Sequence, residues 1–289
     1  MKIRSVQRVF TPPPHHFVGN GFRVHNFIPA YEELSMERMS PFILLDYNSK
    51  FYFPPSNEPR GVGAHPHRGF ETVTIAYKGK VAHHDNAGNG GVIGEGDVQW
   101  MTAAKGILHK EYHEEEWNKN GGDFHMVQLW VNLPAKDKVS EPKYQEISND
   151  KMGRYQLESG GEIEVIAGNY KGISGGASTF TPMNVFNVKV KSGSKCDLSF
   201  PDNYNTALLV IEGNIDVNGI NAPTDNLVLL ANDGEDFSII ANEDSVVLVL
   251  SGEPINEPIA ARGPFVMNTT DEIIKAYYDY NQGKFGYLE

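Results

Sequence analysis

The fold prediction for this chain starts from the stretch His65-Pro-His67-Arg-Gly-Phe-Glu71-Thr72, which continues into the β-rich segment Val73-Thr-Ile-Ala-Tyr77. Alternate side chains of a β-strand point to the same face, so the H-x-H pair presents two imidazoles to one side. About forty residues later, Gly106-Ile-Leu-His109-Lys-Glu111 repeats this spacing with a histidine and a carboxylate. Two such strands facing one interior would supply four nitrogen and oxygen donors. The pattern predicts a β-protein with a metal site.

The rest of the chain is also typical of an all-β protein. Short runs rich in β-branched and aromatic residues, such as Phe124–Val131 and Ser245–Leu250, are separated by turns in a chain with 29 glycines and 17 prolines. Turn signals at about ten-residue intervals indicate a sandwich or barrel. One helix is predicted at Thr269-Thr-Asp-Glu-Ile-Ile-Lys-Ala-Tyr-Tyr, which begins with a capping residue and an acidic first turn. The segment His113-Glu-Glu-Glu-Trp117 is expected to be a solvated loop or short turn.

A polar, proline-flanked stretch, Leu133–Pro142, predicts a boundary between two domains, residues 1–134 and 143–289. Weak similarity between Ile75–Gly79 with Ile93–Asp97 and Val210–Gly213 with Leu230–Gly234 indicates a duplicated β-barrel. All ten histidines lie at or before His125. Any histidine-based site is therefore expected in the N-terminal domain, and the C-terminal domain is expected to lack metal ligands.

Composition and charge restrict the classes of partner. The 37 acidic and 25 basic residues give a net charge of −12, and no basic tract offsets it, which disfavours direct binding to nucleic acid. No apolar run resembles a signal peptide or a membrane span. The single cysteine, Cys196, excludes an intrachain disulfide framework and is expected to be a small buried residue. These features predict a soluble cytoplasmic protein.

Spacing alone leaves the carboxylate ligand open. Glu71 lies four residues after His67 and would share its face in an unbroken strand, whereas Glu111 lies two residues after His109 and is equally well placed. Imidazole and carboxylate suit Fe, Mn, Co, Ni, Cu or Zn, and we expect Fe(II) first, because open positions on a six-coordinate ion could take water, O₂ or substrate. His125 is a candidate for orienting a ligand or water. Of the remaining histidines, five are expected at the surface or in local hydrogen bonds, namely His15, His16, His83, His84 and His113.

Several motifs together resemble the pirin family of the cupin superfamily. They are His65–Thr72, Gly96-Asp-Val-Gln-Trp-Met-Thr-Ala104, Gly106–His109 with Glu111, Gln128–Leu133, Pro41–Asp46, Gly252-Glu-Pro-Ile-Asn-Glu-Pro-Ile and Arg262-Gly-Pro-Phe-Val-Met-Asn268. The resemblance implies a bicupin, that is, two antiparallel jelly-roll β-barrels, with a short C-terminal helix and a tail that packs on the N-terminal domain.

The resemblance also implies a ligand set and two alternative functions. The family's metal is held at positions that match His65, His67, His109 and Glu111, so Glu71 becomes a neighbour, not a ligand. One implied function is a quercetin 2,3-dioxygenase, which opens a flavonol ring with O₂ and releases carbon monoxide, with Glu111 as the general base. The alternative is a non-enzymatic, redox- or metal-sensing pirin that regulates a transcription factor or a metabolic enzyme by binding it. We favour the enzyme.

Overall fold

The computed structural model describes residues 2–289 as a chain of short strands with a few short helical segments. The first twelve strands are β1 (Val6–Phe10), β2 (His16–Val18), β3 (Phe22–Ile28), β4 (Phe42–Phe53), β5 (Gly61–His67), β6 (Phe70–Lys78), β7 (Val81–Asp85), β8 (Gly90–Ile93), β9 (Val98–Thr102), β10 (Ile107–His113), β11 (Gly122–Asn132) and β12 (Lys143–Ile147). The other strands are β13 (Gly153–Gln156), β14 (Gly161–Ala167), β15 (Asn169–Tyr170), β16 (Ile173–Ser174), β17 (Met183–Val190), β18 (Lys195–Ser199), β19 (Asn205–Glu212), β20 (Asn214–Val217), β21 (Ile220–Pro223), β22 (Leu227–Leu230), β23 (Asp236–Ala241), β24 (Ser245–Gly252), β25 (Ala260–Arg262) and β26 (Phe265–Met267).

The helices are α1 (Met36–Met39), α2 (Glu115–Asn120) and α3 (Thr270–Asn281), and single 3₁₀ turns occupy Glu32–Leu34, Ala135–Asp137 and Asn149–Lys151. Among residues 2–289, no helix is both long enough and apolar enough to cross a bilayer.

The chain forms two compact units, and neither is continuous in sequence. The histidine unit comprises residues 14–37, 42–149 and 255–289, and the second unit comprises residues 2–13, 38–41 and 150–254. This division differs from the continuous segments 1–134 and 143–289 that the sequence predicts. The cause is non-local strand pairing: β12 pairs with β9, which keeps residues 143–147 in the histidine unit, and β1 pairs with β22 of the second unit. The C-terminal segment 255–289 belongs to the histidine unit.

Each unit contains one seven-stranded and one four-stranded sheet, all antiparallel. In the histidine unit the strand orders are β12-β9-β6-β11-β4-β3-β2 and β5-β10-β7-β8. In the second unit they are β1-β22-β19-β24-β17-β14-β13 and β18-β23-β20-β21. The two sets correspond strand for strand, which confirms the predicted pair of all-β barrels.

The second unit is filled by apolar side chains from both of its sheets. Cys196 and Leu198 of β18 pack with Phe237 and Ile239 of β23 in one buried cluster, and the burial expected for Cys196 is confirmed. Arg4, which precedes β1, is fully buried. Hydrogen bonds compensate for the burial of its guanidinium, which donates to the Gly234 carbonyl at 2.8 Å and to further acceptors of this unit. The N-terminal segment is therefore an integral part of the second unit.

Helix α3 confirms the helix predicted from the C-terminal sequence. Thr269 is its N-cap, and the reciprocal hydrogen bonds between Thr269 and Glu272 form a capping box. Ile273 of α3 packs with Phe265, Phe285 and Leu108 of β10, so the tail covers one side of the strand that carries His109.

The prediction of a loop or short turn at residues 113–117 is wrong, because α2 begins at Glu115. The Glu114 side chain accepts from the backbone N–H groups of Glu116 and Trp117, which satisfies donors that a helix N-terminus otherwise leaves unpaired. Trp117 packs against the core of the histidine unit. A carboxylate cap and one aromatic anchor therefore stabilise a short helix in an acidic stretch.

Candidate metal centre

Strands β5 and β10 bring the three predicted histidine ligands together. The strands are adjacent in the four-stranded sheet, and His109 lies directly opposite His65. One ring nitrogen from each of His65, His67 and His109 can be chosen so that all three lie within 4.8 Å of one another. Two ligands of one ion lie at most about 4.2 Å apart at metal–nitrogen distances of about 2.1 Å, so the three nitrogens are close to the spacing that one transition metal requires.

The hydrogen bonds of these histidines leave one nitrogen of each ring available. Nδ1 of His65 lies 2.8 Å from the Gly63 carbonyl oxygen, and Nδ1 of His67 lies 3.3 Å from the Pro264 carbonyl oxygen. A carbonyl only accepts, so Nδ1 carries the proton and Nε2 retains its lone pair. Nε2 of His109 is buried without a hydrogen-bond partner among residues 2–289. A buried nitrogen without a partner, beside two further ring nitrogens with available lone pairs, fits a metal-binding site.

Burial also favours the metal-binding protonation state. Desolvation lowers the pKa of His67 and of His109 well below the usual histidine range, and the neighbouring histidines lower it further. Both rings are therefore neutral at physiological pH, and the neutral imidazole is the form that binds a metal.

Glu111 lies beside His109 but forms a second, overlapping group. Its Oε1 accepts from the Thr74 hydroxyl at 3.1 Å and from the Gln99 amide at 3.2 Å, which leaves Oε2 as the free ligand atom. Ligand atoms of Glu111, His109 and His83 lie within 4.8 Å of one another. The four predicted donors are thus divided between two groups of three that share His109. The second group also contains His83, which was not predicted as a ligand.

Glu71, the other candidate carboxylate, is not with these donors. The spacing argument required an unbroken strand, but the chain turns between β5 and β6, where Gly69 has a φ of +91°. Thr74 of β6 contacts Glu111, so alternation places Glu71 on the opposite face. There the buried carboxyl accepts from the Thr102 hydroxyl at 2.7 Å, and burial raises its pKa from 4.5 to about 7.

The other histidines divide into exposed and buried groups. His15, His16 and His84 are exposed, as predicted. His83 and His113 are buried, which contradicts a surface position. His83 has the expected local contact, with Asp85 two residues away, whereas Nε2 of His113 donates to the distant Gly21 carbonyl at 2.8 Å. Spacing alone could not predict the burial of His83 and His113, because strands that are distant in sequence determine which side of a strand faces inward.

His125 has no contact with the candidate ligands in the described part of the chain. Its Nε2 lies 2.8 Å from the Tyr47 hydroxyl oxygen, and its ring packs against Tyr47 and Tyr77. Burial lowers its pKa to about 4. His125 therefore does not orient a candidate ligand through a hydrogen bond, and a role in orienting water stays a prediction.

A cavity of about 280 Å³ adjoins the candidate ligands. Its polar wall contains His65, His67, Glu111, Gln128 and Asp46. Its apolar wall contains Val18, Phe22, Val24, Val62, Met126 and Trp130. Apolar walls with a few convergent polar groups are typical of sites for small organic ligands.

Four side chains around this site were not predicted from the sequence. His83, Asp85 and Gln99 surround His109 and Glu111, and Asp46 lines the cavity with a pKa that burial raises. The only signal in the sequence was the H-x-D spacing of His83 and Asp85, which matches the H-x-E spacing of His109 and Glu111. For Gln99 and Asp46 the sequence offers no comparable signal.

Two antiparallel jelly-roll barrels in one chain, one of them with clustered histidines, define a bicupin. The family model described as Pirin matches residues 21–131, and the model described as Pirin C-terminal cupin domain matches residues 185–286. The chain belongs to the pirin family.

Similar proteins carry two kinds of name. A Pseudomonas aeruginosa protein named "Putative quercetin 2,3-dioxygenase" is 45% identical over 98% of this chain and 99% of its own length. Pirin-1 of Arabidopsis thaliana is 38% identical over 93% of this chain and 90% of its own length. A solved structure of quercetin 2,3-dioxygenase from Acinetobacter baumannii superposes with a TM-score of 0.93 at 45% identity and covers all of both chains. A bacterial pirin from Escherichia coli in complex with nickel(II), at 20% identity and a TM-score of 0.65 over 86% of this chain and all of that chain, shares the fold.

Proposed function

We propose that the chain is a metal-dependent dioxygenase that cleaves a flavonol such as quercetin with O₂ and releases carbon monoxide. The observation that carries the proposal is the unpartnered Nε2 of His109, buried beside two further histidines at the wall of a mainly apolar cavity. The names of the relatives at 45% identity support the same substrate class.

His65, His67, His109 and Glu111 would hold one divalent ion, which we propose is Fe(II), with Mn, Co, Ni, Cu and Zn as the alternatives to test. When bound, such an ion supplies Lewis-acid chemistry toward the hydroxyl and ketone oxygens of a flavonol and a position for O₂. The apolar wall of the cavity would bind the flat aromatic rings and exclude water.

Glu111 is the proposed proton acceptor. Thr74 and Gln99 both donate to Oε1, so they hold the carboxylate in place. Oε2 has one lone pair for the ion and a second that would take the flavonol hydroxyl proton. The flavonol would then bind as an anion, and its negatively charged oxygen would lie beside the residues that hold the metal cation.

The test is aerobic turnover of quercetin by protein loaded separately with Fe(II), Ni(II), Mn(II), Co(II), Cu(II) and Zn(II). We expect loss of the flavonol absorbance together with release of carbon monoxide, and a loss of at least a hundredfold in the variant His109→Ala. His84→Ala is the matched control, because His84 is an exposed histidine of the same sheet. Absence of turnover with all six metals would contradict the proposal and favour the regulatory alternative, in which the metal state sets a surface for a protein partner.

A further inference from the structure

Strand β7 places a buried carboxylate and a buried histidine behind the proposed metal ligands. β7 is the neighbour of β10 on the side away from β5, with His83 opposite Glu111 and Asp85 opposite His109. The side chains of His83 and Asp85 are fully buried. Nε2 of His83 lies 3.5 Å from Oδ2 of Asp85, and Nδ1 of His83 lies 3.4 Å from Nδ1 of His109.

With a neutral His83, these contacts assign the position of each proton. The Asp85 carboxylate only accepts, so Nε2 of His83 carries the proton and Nδ1 of His83 is an acceptor. Nδ1 of His109 must then be the donor, which leaves Nε2 of His109 as the lone pair. The result is the same tautomer that backbone carbonyls give His65 and His67.

We propose that Asp85 and His83 are positioning residues that hold His109 in its metal-binding tautomer and orientation. This inference rests on the metal site proposed above. Outer partners of this kind fix the ring orientation of a ligating histidine and raise its basicity. Here a side chain does for His109 what a carbonyl does for each of the other two histidines.

Neighbouring groups fix the positions of the Asp85 and His83 side chains. The backbone N–H groups of Ala87 and Asn89 each donate to Oδ1 of Asp85 at 2.9 Å, and Oδ2 faces His83 and the Asn89 side-chain amide, which donates to it at 3.0 Å. The Tyr144 ring stacks on His83 at a centroid distance of 5.1 Å and an angle of 19°. With one nitrogen facing Asp85 and the other facing His109, His83 has no lone pair left for a metal.

The experiment compares His83→Phe, which keeps a stacking ring but has no acceptor, with His83→Asn, which restores an acceptor near Nδ1. Nitrogen-15 NMR of the metal-free protein reports the tautomer of His109, and calorimetry with Ni(II) reports affinity. We expect His83→Phe to lose the single Nδ1–H tautomer and to bind Ni(II) about 10–100-fold more weakly. His83→Asn should keep the tautomer and most of the affinity.

The control is Asn89→Ala, because the Asn89 side chain bonds Asp85 in the same hairpin without touching His83. It should leave the tautomer of His109 unchanged. An unchanged tautomer and unchanged affinity in a folded His83→Phe protein would overturn the inference. So would the loss of one imidazole from bound Ni(II) in both His83 variants, seen by X-ray absorption, since His83 would then be a ligand. If the unmodified protein binds no metal, the proposed function fails, and the NMR comparison still decides the role of His83.

Discussion

The two units share one strand arrangement and differ in what their inner faces carry. In the histidine unit, His65 of β5 lies opposite His109 of β10. In the corresponding strands of the second unit, β18 and β23, Cys196 lies opposite Ile239. His65 of the first pair lines a cavity, whereas the second pair belongs to a packed apolar cluster. The backbone arrangement therefore permits a site, and the inward side chains decide whether one forms.

The largest expected effect comes from placing a histidine in the second unit. In Ile239→His, an imidazole without partners replaces a fully buried apolar side chain. We expect a loss of about 3–5 kcal/mol in the free energy of unfolding, measured by denaturant titration. Ile240→His is the control, since Ile240 is 40% exposed on the same strand, and it should change stability by less than about 0.5 kcal/mol. Equal effects would show that the inner face of β23 tolerates polar groups.

A slightly smaller effect is expected at Glu71, which the sequence could not separate from Glu111. Burial raises the pKa of Glu71 from 4.5 to about 7, so the folded state holds this proton more tightly than the unfolded state. That stabilisation is complete below pH 4.5 and is lost as the pH rises through 7. In the unmodified protein, Glu71 should lower the free energy of unfolding by about 3 kcal/mol as the pH rises over this window, and Glu71→Gln should not show this change.

Denaturant titrations at several pH values measure this difference, with Glu146→Gln at an exposed position as the control. Glu71→Gln should leave Ni(II) affinity unchanged. A pH dependence that persists in Glu71→Gln would mean that another group causes it.

The smallest effect concerns α3, which only the histidine unit possesses. Thr269→Ala removes the side-chain acceptor of the capping box and should cost about 1 kcal/mol. Thr270→Ala, one residue further along, keeps the cap and should be nearly neutral. Thermal unfolding followed by circular dichroism distinguishes the two variants, and equal shifts would show that the cap contributes nothing.

The sequence predicted those features that depend on local spacing. Strand alternation was enough to pair His65 with His67 and His109 with Glu111, and capping residues were enough to locate α3. Features that depend on partners distant in sequence could not be predicted. The turn at Gly69 reverses the face on which Glu71 lies, and the contact of His83 with His109 requires β7 to pair with β10.

The pairing of β1 with β22 has a consequence for synthesis of the chain. Val6 is aligned with Leu230, so the edge strand of the second unit leaves the ribosome more than 200 residues before its partner. At about 5–20 residues per second, the segment must wait roughly 10–45 s, while the strands of the histidine unit emerge and pair. Because Arg4 is fully buried in the finished second unit, a bulky group next to Arg4 would hinder the docking of β1 onto β22.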